Sequence, residues 1–127
     1  MISVLILTRN EQNDLPGCLS SVSWSDDIHV FDSRSTDATV EIAKAAGAHI
    51  HTRTFDDYAT HRNAALATIP FKYPWVFLPD ADERPTPELS REMQQLILAA
   101  TRSYSRQHSS NFSPAILSPH RDTITSR

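Results

Sequence analysis

Short apolar runs alternate with amphipathic segments along the first hundred residues, and this alternation constrains the fold more than any other feature. The runs are rich in β-branched and aromatic residues, which is typical of strands buried on both faces of a sheet. The predicted strands are Ile2–Leu7, Ile28–Phe31, Ala48–Thr52 and Trp75–Leu78. We therefore predict an α/β fold in which a mostly parallel sheet alternates with helices.

Helices are predicted between these strands from apolar stripes and capping residues. The second helix is expected to begin at an N-cap on Ser35 or Thr36 and to stop at Gly47. The fourth is expected to begin at Thr86, with Pro87 at its first position. The first helix lies within residues 13–22, the third spans Asp57–Ile69, and the fourth carries a predicted apolar stripe of Leu89, Met93, Leu96, Ile97 and Ala100.

The segment after Ala100 has a different composition. Residues 101–127 contain ten Ser or Thr in 27 residues and one short apolar cluster, Ala115–Leu117. Such a segment buries too little apolar surface to offset the entropy of ordering the chain. We therefore divide the chain into a folded unit at residues 1–100 and a poorly ordered tail at residues 101–127.

The charge balance and the cysteine content make some functions and some cellular locations less expected than others. Residues 1–100 carry 8 Lys or Arg and 14 Asp or Glu, a balance of −6, which argues against a nucleic-acid-binding surface. The single cysteine, Cys18, cannot form an internal disulfide and is expected to be buried, so we expect a cytoplasmic protein. No apolar run approaches the roughly 20 residues of a membrane span, which leaves peripheral membrane contact open.

Polar side chains follow three of the predicted strands. They are Thr8, Arg9, Asn10 and Glu11 after the first strand, Asp32, Ser33 and Arg34 after the second, and Asp80, Asp82 and Glu83 after the fourth. Because the carboxyl ends of parallel strands meet at one edge of a sheet, where ligands bind in open α/β folds, we expect these groups to form one site.

The kind of ligand is limited by the scarcity of glycine. The first of these loops reads TRNEQND, and the chain holds only 2 glycines, so a glycine-rich dinucleotide site or P-loop is not expected. A diphosphate would instead need a divalent cation held by one or two carboxylates. Asp80 and Asp82, on one short turn, suit that role.

Four stretches of the chain carry a recognisable pattern: ISVLILTRNEQNDLPGCLSSV, VFDSRSTDATVEIAKAAGA, FDDYATHRNAAL and WVFLPDADERPTPEL, the last of which includes a DxD motif. Together they resemble the nucleotide-binding half of a family 2 glycosyltransferase with the GT-A (nucleotide-diphospho-sugar transferase) fold. The resemblance covers about residues 1–100 and is strongest to bacterial members that build lipopolysaccharide and other surface polysaccharides. It implies inverting transfer of a sugar from a nucleoside-diphosphate donor to a saccharide or lipid-linked saccharide, aided by Mg²⁺ or Mn²⁺.

The same resemblance implies roles for individual residues. Asp82 would be the direct metal ligand, and Asp80 would touch the ribose and the metal. Asp32 would accept a hydrogen bond from the base or ribose, and Arg62 would reach the base or diphosphate. The implied donor nucleotide-binding residues are Thr8, Asn10, Glu11, Asp32, Arg62 and Asp80.

The chain also departs from the family pattern. Arg34 stands where the family usually has glycine, and Pro79 stands where an apolar strand residue is usual. Nothing after Ala100 matches the acceptor-binding half, which carries the carboxylate that deprotonates the acceptor. We therefore expect a truncated copy that lacks the catalytic base, whose catalytic residue is unknown.

Other interpretations stay open at this point. The chain could be a non-catalytic nucleotide-binding remnant, or a sugar-nucleotide nucleotidyltransferase, although the latter would want glycine and lysine in the loop after the first strand. Asp32 could cap the segment that follows it, Glu11 could be solvated, and Arg62 could pair with Asp57 or Glu11. Glu83 is expected to be exposed. Four histidines, which we expect to be structural or exposed and not zinc ligands, are His29, His49, His51 and His61.

Overall fold

The computed structural model describes residues 2–107, 115–118 and 121–126, with side chains described over residues 2–100. The strands are β1 Ser3–Thr8, β2 Ile28–Asp32, β3 His49–Thr52, β4 Trp75–Phe77, β5 Ala115–Ser118 and β6 Arg121–Ser126. The helices are α1 Leu15–Ser21, α2 Thr39–Ala45, α3 Tyr58–Thr68 and α4 Pro87–Gln107. Strands and helices alternate as far as α4, as the sequence predicts.

The strands form one sheet in the order β3-β2-β1-β4-β5-β6. The pairs from β3 to β5 are parallel, and β5 and β6 are antiparallel. In the pair of β1 and β2, Thr8 lies opposite Asp32, so the loops after these two strands leave the sheet side by side. The prediction of a mostly parallel α/β sheet is confirmed.

The structure gives regular secondary structure to part of the segment predicted as a poorly ordered tail. Helix α4 continues to Gln107, β5 pairs with β4, and β6 forms the edge beyond it. Strand β5 contains the one apolar cluster of this segment, and its Ile116 lies opposite Val76 of β4. The remainder of the predicted tail lies outside the described residues, and the boundary at residue 100 stays a prediction.

Each face of the sheet carries its own apolar core. On one face, alternate residues of β1 such as Val4 and Ile6 pack with α1, α2 and α4. On the other, Leu5 and Val76 pack with Ala65 and Leu66 of α3 and with Ile69, which follows that helix. No helix in the described part of the chain is long and apolar enough to cross a membrane.

Cys18 belongs to the first of these cores. It is fully buried, as predicted, and burial raises the pKa of its thiol to about 12. A thiol that stays protonated at neutral pH is a poor nucleophile, so Cys18 has a packing role.

Two details of the helices differ from the prediction. The N-cap of helix α2 is Ala38 and not Ser35 or Thr36, because the hydroxyls of those two residues donate to the side chains of Asp32 and Asn10 and do not cap the helix. In α4, Met93 and Ile97 are buried, but Leu96 is 63% exposed and therefore does not belong to the buried stripe.

Asp27 anchors the edge of the sheet opposite the predicted site. Its carboxylate accepts hydrogen bonds from Ser3 Oγ at 2.5 Å, Lys72 N at 2.8 Å and His29 Nε2 at 2.8 Å. Although burial raises the pKa of Asp27, these donors outweigh it and the pKa is lowered. Since His29 Nε2 donates to the carboxylate, a neutral His29 accepts at Nδ1, and His51 Nε2 at 3.0 Å is the donor.

These histidines make stability depend on pH. The pKa of His29 is lowered, first by burial and then by the nearby His49 and His51, although the carboxylate of Asp27 acts in the opposite direction. The pKa of His51 is also lowered, by burial and then by His49. Their stabilising contribution is therefore present above the ordinary histidine pKa of about 6.5 and is lost as the pH falls through the lower folded-state values. We expect the free energy of unfolding, from urea denaturation, to fall between about pH 7.5 and pH 5.5.

A His29→Gln variant serves as the comparison for this prediction. It should be less stable than the parent at the higher pH, but its stability should fall less steeply on acidification because one titrating group is gone. A parent stability that is constant or rises on acidification over this interval would contradict the expectation.

Candidate functional site

A cleft of about 500 Å³ opens at the carboxyl edge of the sheet. Four carboxylate residues line it, together with the side chains of Phe55, Tyr58 and His61. Thr8 lines it from the end of β1, and Ser33 from the loop after β2. The four carboxylate residues are Glu11, Asp14, Asp80 and Asp82. The expected meeting of the loops after β1, β2 and β4 at one edge is therefore confirmed.

The segment Asp80–Glu83 forms a closed turn, which we call the acidic turn. The N–H of Glu83 donates to the carbonyl oxygen of Asp80 at 2.9 Å, and the N–H of Asp80 donates to Glu83 Oε1 at 2.6 Å. Ala81 is 4% exposed and packs into the core, whereas Asp80 and Asp82 are exposed and line the cleft. Glu83 thus closes the turn that presents the two aspartates, a role that the sequence did not indicate.

The pKa of Glu11 reflects the concentration of negative charge in this cleft. Burial is the first cause that raises its pKa, followed by the charges of Asp14, Asp82, Asp37 and Asp80. Several carboxylates therefore act on one another at this edge, and a bound cation would relieve their repulsion. In the part of the chain with described side chains, no group of three His, Cys, Asp or Glu residues is arranged to hold a metal ion.

Asp32 lies at the centre of a hydrogen-bond network below the cleft. It is 1% exposed, and its Oδ1 accepts from Thr8 Oγ1 at 2.7 Å and Ser35 Oγ at 2.6 Å. Its Oδ2 accepts from the N–H of Ser35 at 2.8 Å. Thr8 lines the cleft but Asp32 does not, so in this conformation Asp32 shapes the loop after β2 without reaching the cleft.

The loops after β1 and β2 are joined by further hydrogen bonds between backbone and side chains, and we call the pair the interlocked loops. The N–H of Asn10 donates to Ser35 Oγ at 2.8 Å, and Asn10 Oδ1 accepts from the N–H of Thr36 at 2.8 Å. The N–H of Glu11 donates to Thr39 Oγ1 at 2.8 Å. Asn10 therefore acts in the scaffold and does not line the cleft.

Two residues of these loops adopt left-handed backbone conformations. Asn10 has φ 53° and Arg34 has φ 54°. Asparagine tolerates this region, but for arginine the Cβ atom makes it unfavourable by roughly 1–2 kcal/mol. Arg34 stands where the family resemblance expects glycine, and its Nε donates to Thr54 Oγ1 at 2.7 Å, which helps to hold the strained residue.

Arg62 lies on α3 beside the cleft but does not line it. Its guanidinium carbon is 5.9 Å from the centroid of the Tyr58 ring, and its Nε is buried with no hydrogen-bond partner. Of the predicted nucleotide-binding residues, the structure brings Thr8, Glu11 and Asp80 to the cleft and leaves Asn10, Asp32 and Arg62 outside its lining.

The ring-bearing side chains of the cleft were not predicted from the sequence. Phe55 is 41% exposed and Tyr58 is 51% exposed, which is unusual for large rings and could not be inferred without knowing the loop before α3. His61 is buried; Arg53 Nη1 lies 3.4 Å from its Nδ1, and its Nε2 lies 3.0 Å from Ser33 Oγ. Burial and then Arg53 lower the pKa of His61, so a neutral ring accepts from Arg53 and donates to Ser33.

Three of the four histidines singled out in the sequence lie together at the opposite edge of the sheet. The pairing of β2 with β3 stacks His29 at 4.9 Å from the ring of His49 and 5.3 Å from the ring of His51. Within the described side chains this cluster is not arranged as a three-ligand metal site either.

A parallel α/β sheet with an acidic turn at its carboxyl edge is what the resemblance to nucleotide-diphospho-sugar transferases leads us to expect. The sequence profile of glycosyl transferase family 2 matches residues 3–113. The chain therefore belongs to glycosyl transferase family 2. The match runs past residue 100, where the predicted resemblance ends.

Curated relatives are considerably longer than this chain. An uncharacterized glycosyltransferase of Rickettsia bellii is 36% identical over 97 residues, which is 76% of this chain and 31% of the relative. A TPR repeat-containing protein of Synechococcus elongatus is 39% identical over 84 residues, which is 65% of this chain and 20% of the relative. The chain thus spans about a third or less of these relatives.

Solved structures share the fold. A glucosyl-3-phosphoglycerate synthase of Mycobacterium tuberculosis, in complex with Mn²⁺, UDP and glucosyl-3-phosphoglycerate, has a TM-score of 0.58 and 26% identity, covering 68% of this chain and 36% of that chain. A mycobacterial protein with 24% identity has a TM-score of 0.64 and covers 78% of this chain and 37% of that chain. The GT-A fold prediction is confirmed.

Proposed function

We propose that this chain forms the donor-nucleotide site of an inverting glycosyltransferase, which binds a nucleoside-diphosphate sugar together with Mn²⁺ or Mg²⁺. The observation that carries the proposal is the closed acidic turn, which presents Asp80 and Asp82 to a cleft beside Glu11. Family membership supports it, as does the similar synthase structure that contains UDP and Mn²⁺.

The residues of the cleft fit a hard divalent cation. Carboxylate oxygens are the ligands that Mg²⁺ and Mn²⁺ prefer, and one or two carboxylates commonly suffice when phosphates complete the shell. Asp82 would be the direct ligand, and Asp80 would share the metal and contact the ribose. The metal, when bound, would neutralise charge on the departing diphosphate.

Two of the remaining roles follow from which residues line the cleft. Thr8 and Glu11 line the cleft and would contact the nucleotide, whereas Asp32 and Asn10 would support it by fixing the interlocked loops. Direct contact by Asp32 would require the loop after β2 to open, because the side chain is buried. Arg62 would reach the base or diphosphate from α3 only after its guanidinium turns from Tyr58.

In the transfer itself, an acceptor hydroxyl oxygen bonds to the anomeric carbon of the sugar while the bond to the diphosphate oxygen breaks. The hydroxyl proton passes to a base that we assign to no residue of this chain. The resemblance of the motifs to surface-polysaccharide enzymes supports a role in lipopolysaccharide or surface-polysaccharide synthesis in the cytoplasm, with a saccharide or lipid-linked saccharide as acceptor.

Titration calorimetry with UDP tests the donor site directly. We expect the 127-residue chain to bind UDP about tenfold more tightly with Mn²⁺ than without it, since a cation held by Asp80 and Asp82 would offset the negative charge of the diphosphate. Equal affinity in the two conditions would contradict the proposed site. Failure of UDP, GDP and ADP alike to bind in the presence of Mn²⁺ would contradict it too. Binding without sugar transfer from UDP-sugars would favour the non-catalytic alternative.

A further inference from the structure

The side chain of Arg84 lies across helix α1 at Gly17. A Cβ atom added to Gly17 would come within 2.7 Å of Arg84 Cζ and Nη2, so the guanidinium occupies the space that any larger residue would fill. Arg84 Nη2 also lies 3.9 Å from Asp14 Oδ1. The guanidinium therefore packs against α1 at Gly17, a contact that we call its seat, and the carboxylate of Asp14, which lines the cleft, lies beside it.

Gly17 has no conformational reason to be glycine. It lies within α1, and its φ is not among the positive values. Glycine inside a helix is less favourable than alanine by about 1 kcal/mol. The space that it leaves for the Arg84 guanidinium gives a physical reason for a glycine at this position.

Arg84 directly follows the acidic turn, Asp80–Glu83. The two hydrogen bonds between Asp80 and Glu83 close the turn, so it would move as one unit. Cys18 Sγ donates to the carbonyl oxygen of Asp80 at 3.6 Å and attaches one end of this unit to α1. The seat of Arg84 on Gly17 attaches the other end to the same helix.

We propose that Arg84, seated on Gly17, is a positioning residue that holds the acidic turn against α1 and so directs Asp80 and Asp82 into the cleft. Arg84 does not line the cleft, so it acts through the turn and not by touching the donor. The inference rests on the proposed function, because its effect is on metal-dependent nucleotide binding.

The test compares Arg84→Ala, Gly17→Ala and their combination in the full chain, by the apparent affinity for Mn²⁺ at saturating UDP and by the melting temperature. Either single substitution should weaken Mn²⁺ binding roughly threefold to fivefold, the range expected for losing one exposed ion pair and its contacts. The double variant should be no weaker than Arg84→Ala, because both changes remove the same contact. Gly17→Ala should keep or raise the melting temperature, since alanine favours the helix.

Gly47→Ala is the matched control. Gly47 has φ 83° with open space around its Cβ position, so alanine should lower the melting temperature without changing Mn²⁺ affinity. A parent chain that binds UDP with Mn²⁺ while Arg84→Ala and Gly17→Ala bind equally well would overturn this inference alone. A parent chain that binds no nucleotide in the presence of Mn²⁺ would overturn both the proposed function and the inference.

Discussion

Replacing Asp82 by asparagine should weaken Mn²⁺-dependent UDP binding on the order of 10- to 100-fold. Loss of even an indirect supporting group at a metal site commonly has an effect of this size, and Asp82 is assigned as a direct, charged ligand. The side chain is exposed at the cleft, so its volume-conserving replacement should leave the melting temperature nearly unchanged. Calorimetric titrations of UDP at fixed Mn²⁺ measure the loss.

Glu88→Gln provides the control for this result. Glu88 is an exposed acid in the first turn of α4 and is not among the residues that line the cleft, so its substitution removes the same charge without touching the proposed ligands. The two variants should bind UDP equally without metal and differ only with Mn²⁺. If Asp82→Asn binds Mn²⁺ and UDP as the parent does, the acidic turn is not the metal site.

The largest loss of stability is expected from Asp27→Ala. Asp27 is 5% exposed, and its removal leaves the donors on Ser3, His29 and the Lys72 backbone without their acceptor. Each buried donor left unpaired costs about 1–3 kcal/mol. We expect the free energy of unfolding to fall by about 3–5 kcal/mol, measured by denaturant titration near neutral pH.

The adjacent residue offers a matched comparison. Asp26 carries the same charge and pairs with Lys72 Nζ at 2.6 Å, but both side chains are more than half exposed, at 59% and 56%. Asp26→Ala should therefore reduce stability by less than about 1 kcal/mol. Similar losses in the two variants would show that burial of the Asp27 network does not control the stability of this edge.

The order of the elements could be predicted because their signals are local. The apolar runs that became β1 and β4, and the helical segment Asp57–Ile69 that contains α3, are recognised from a few neighbouring residues. The convergence of Thr8 and Asp80 at one edge followed from the parallel arrangement alone. These predictions needed no knowledge of long-range contacts.

What the sequence could not indicate depends on contacts between distant segments. Serine is a residue type that favours the N-cap position, yet the N–H of Ser35 is bound to the side chain of Asp32 in the turn, and α2 begins only at Thr39. The seat of Arg84 on Gly17 joins residues 67 positions apart and leaves no periodic signal. Strand β5 is short and lies in a polar stretch of sequence, so it could not be recognised as a strand without knowledge of its pairing partner, β4.

The interlocked loops have a consequence for the thermodynamics of donor binding. Their backbone N–H groups are bound to Asp32, Asn10, Ser35 and Thr39 before any ligand arrives. The conformational entropy of these loops is therefore lost when the domain folds and not when the nucleotide associates. The part of the cleft that the interlocked loops line is in this sense preorganised, and the free energy of association can depend mainly on contacts with the metal and the diphosphate.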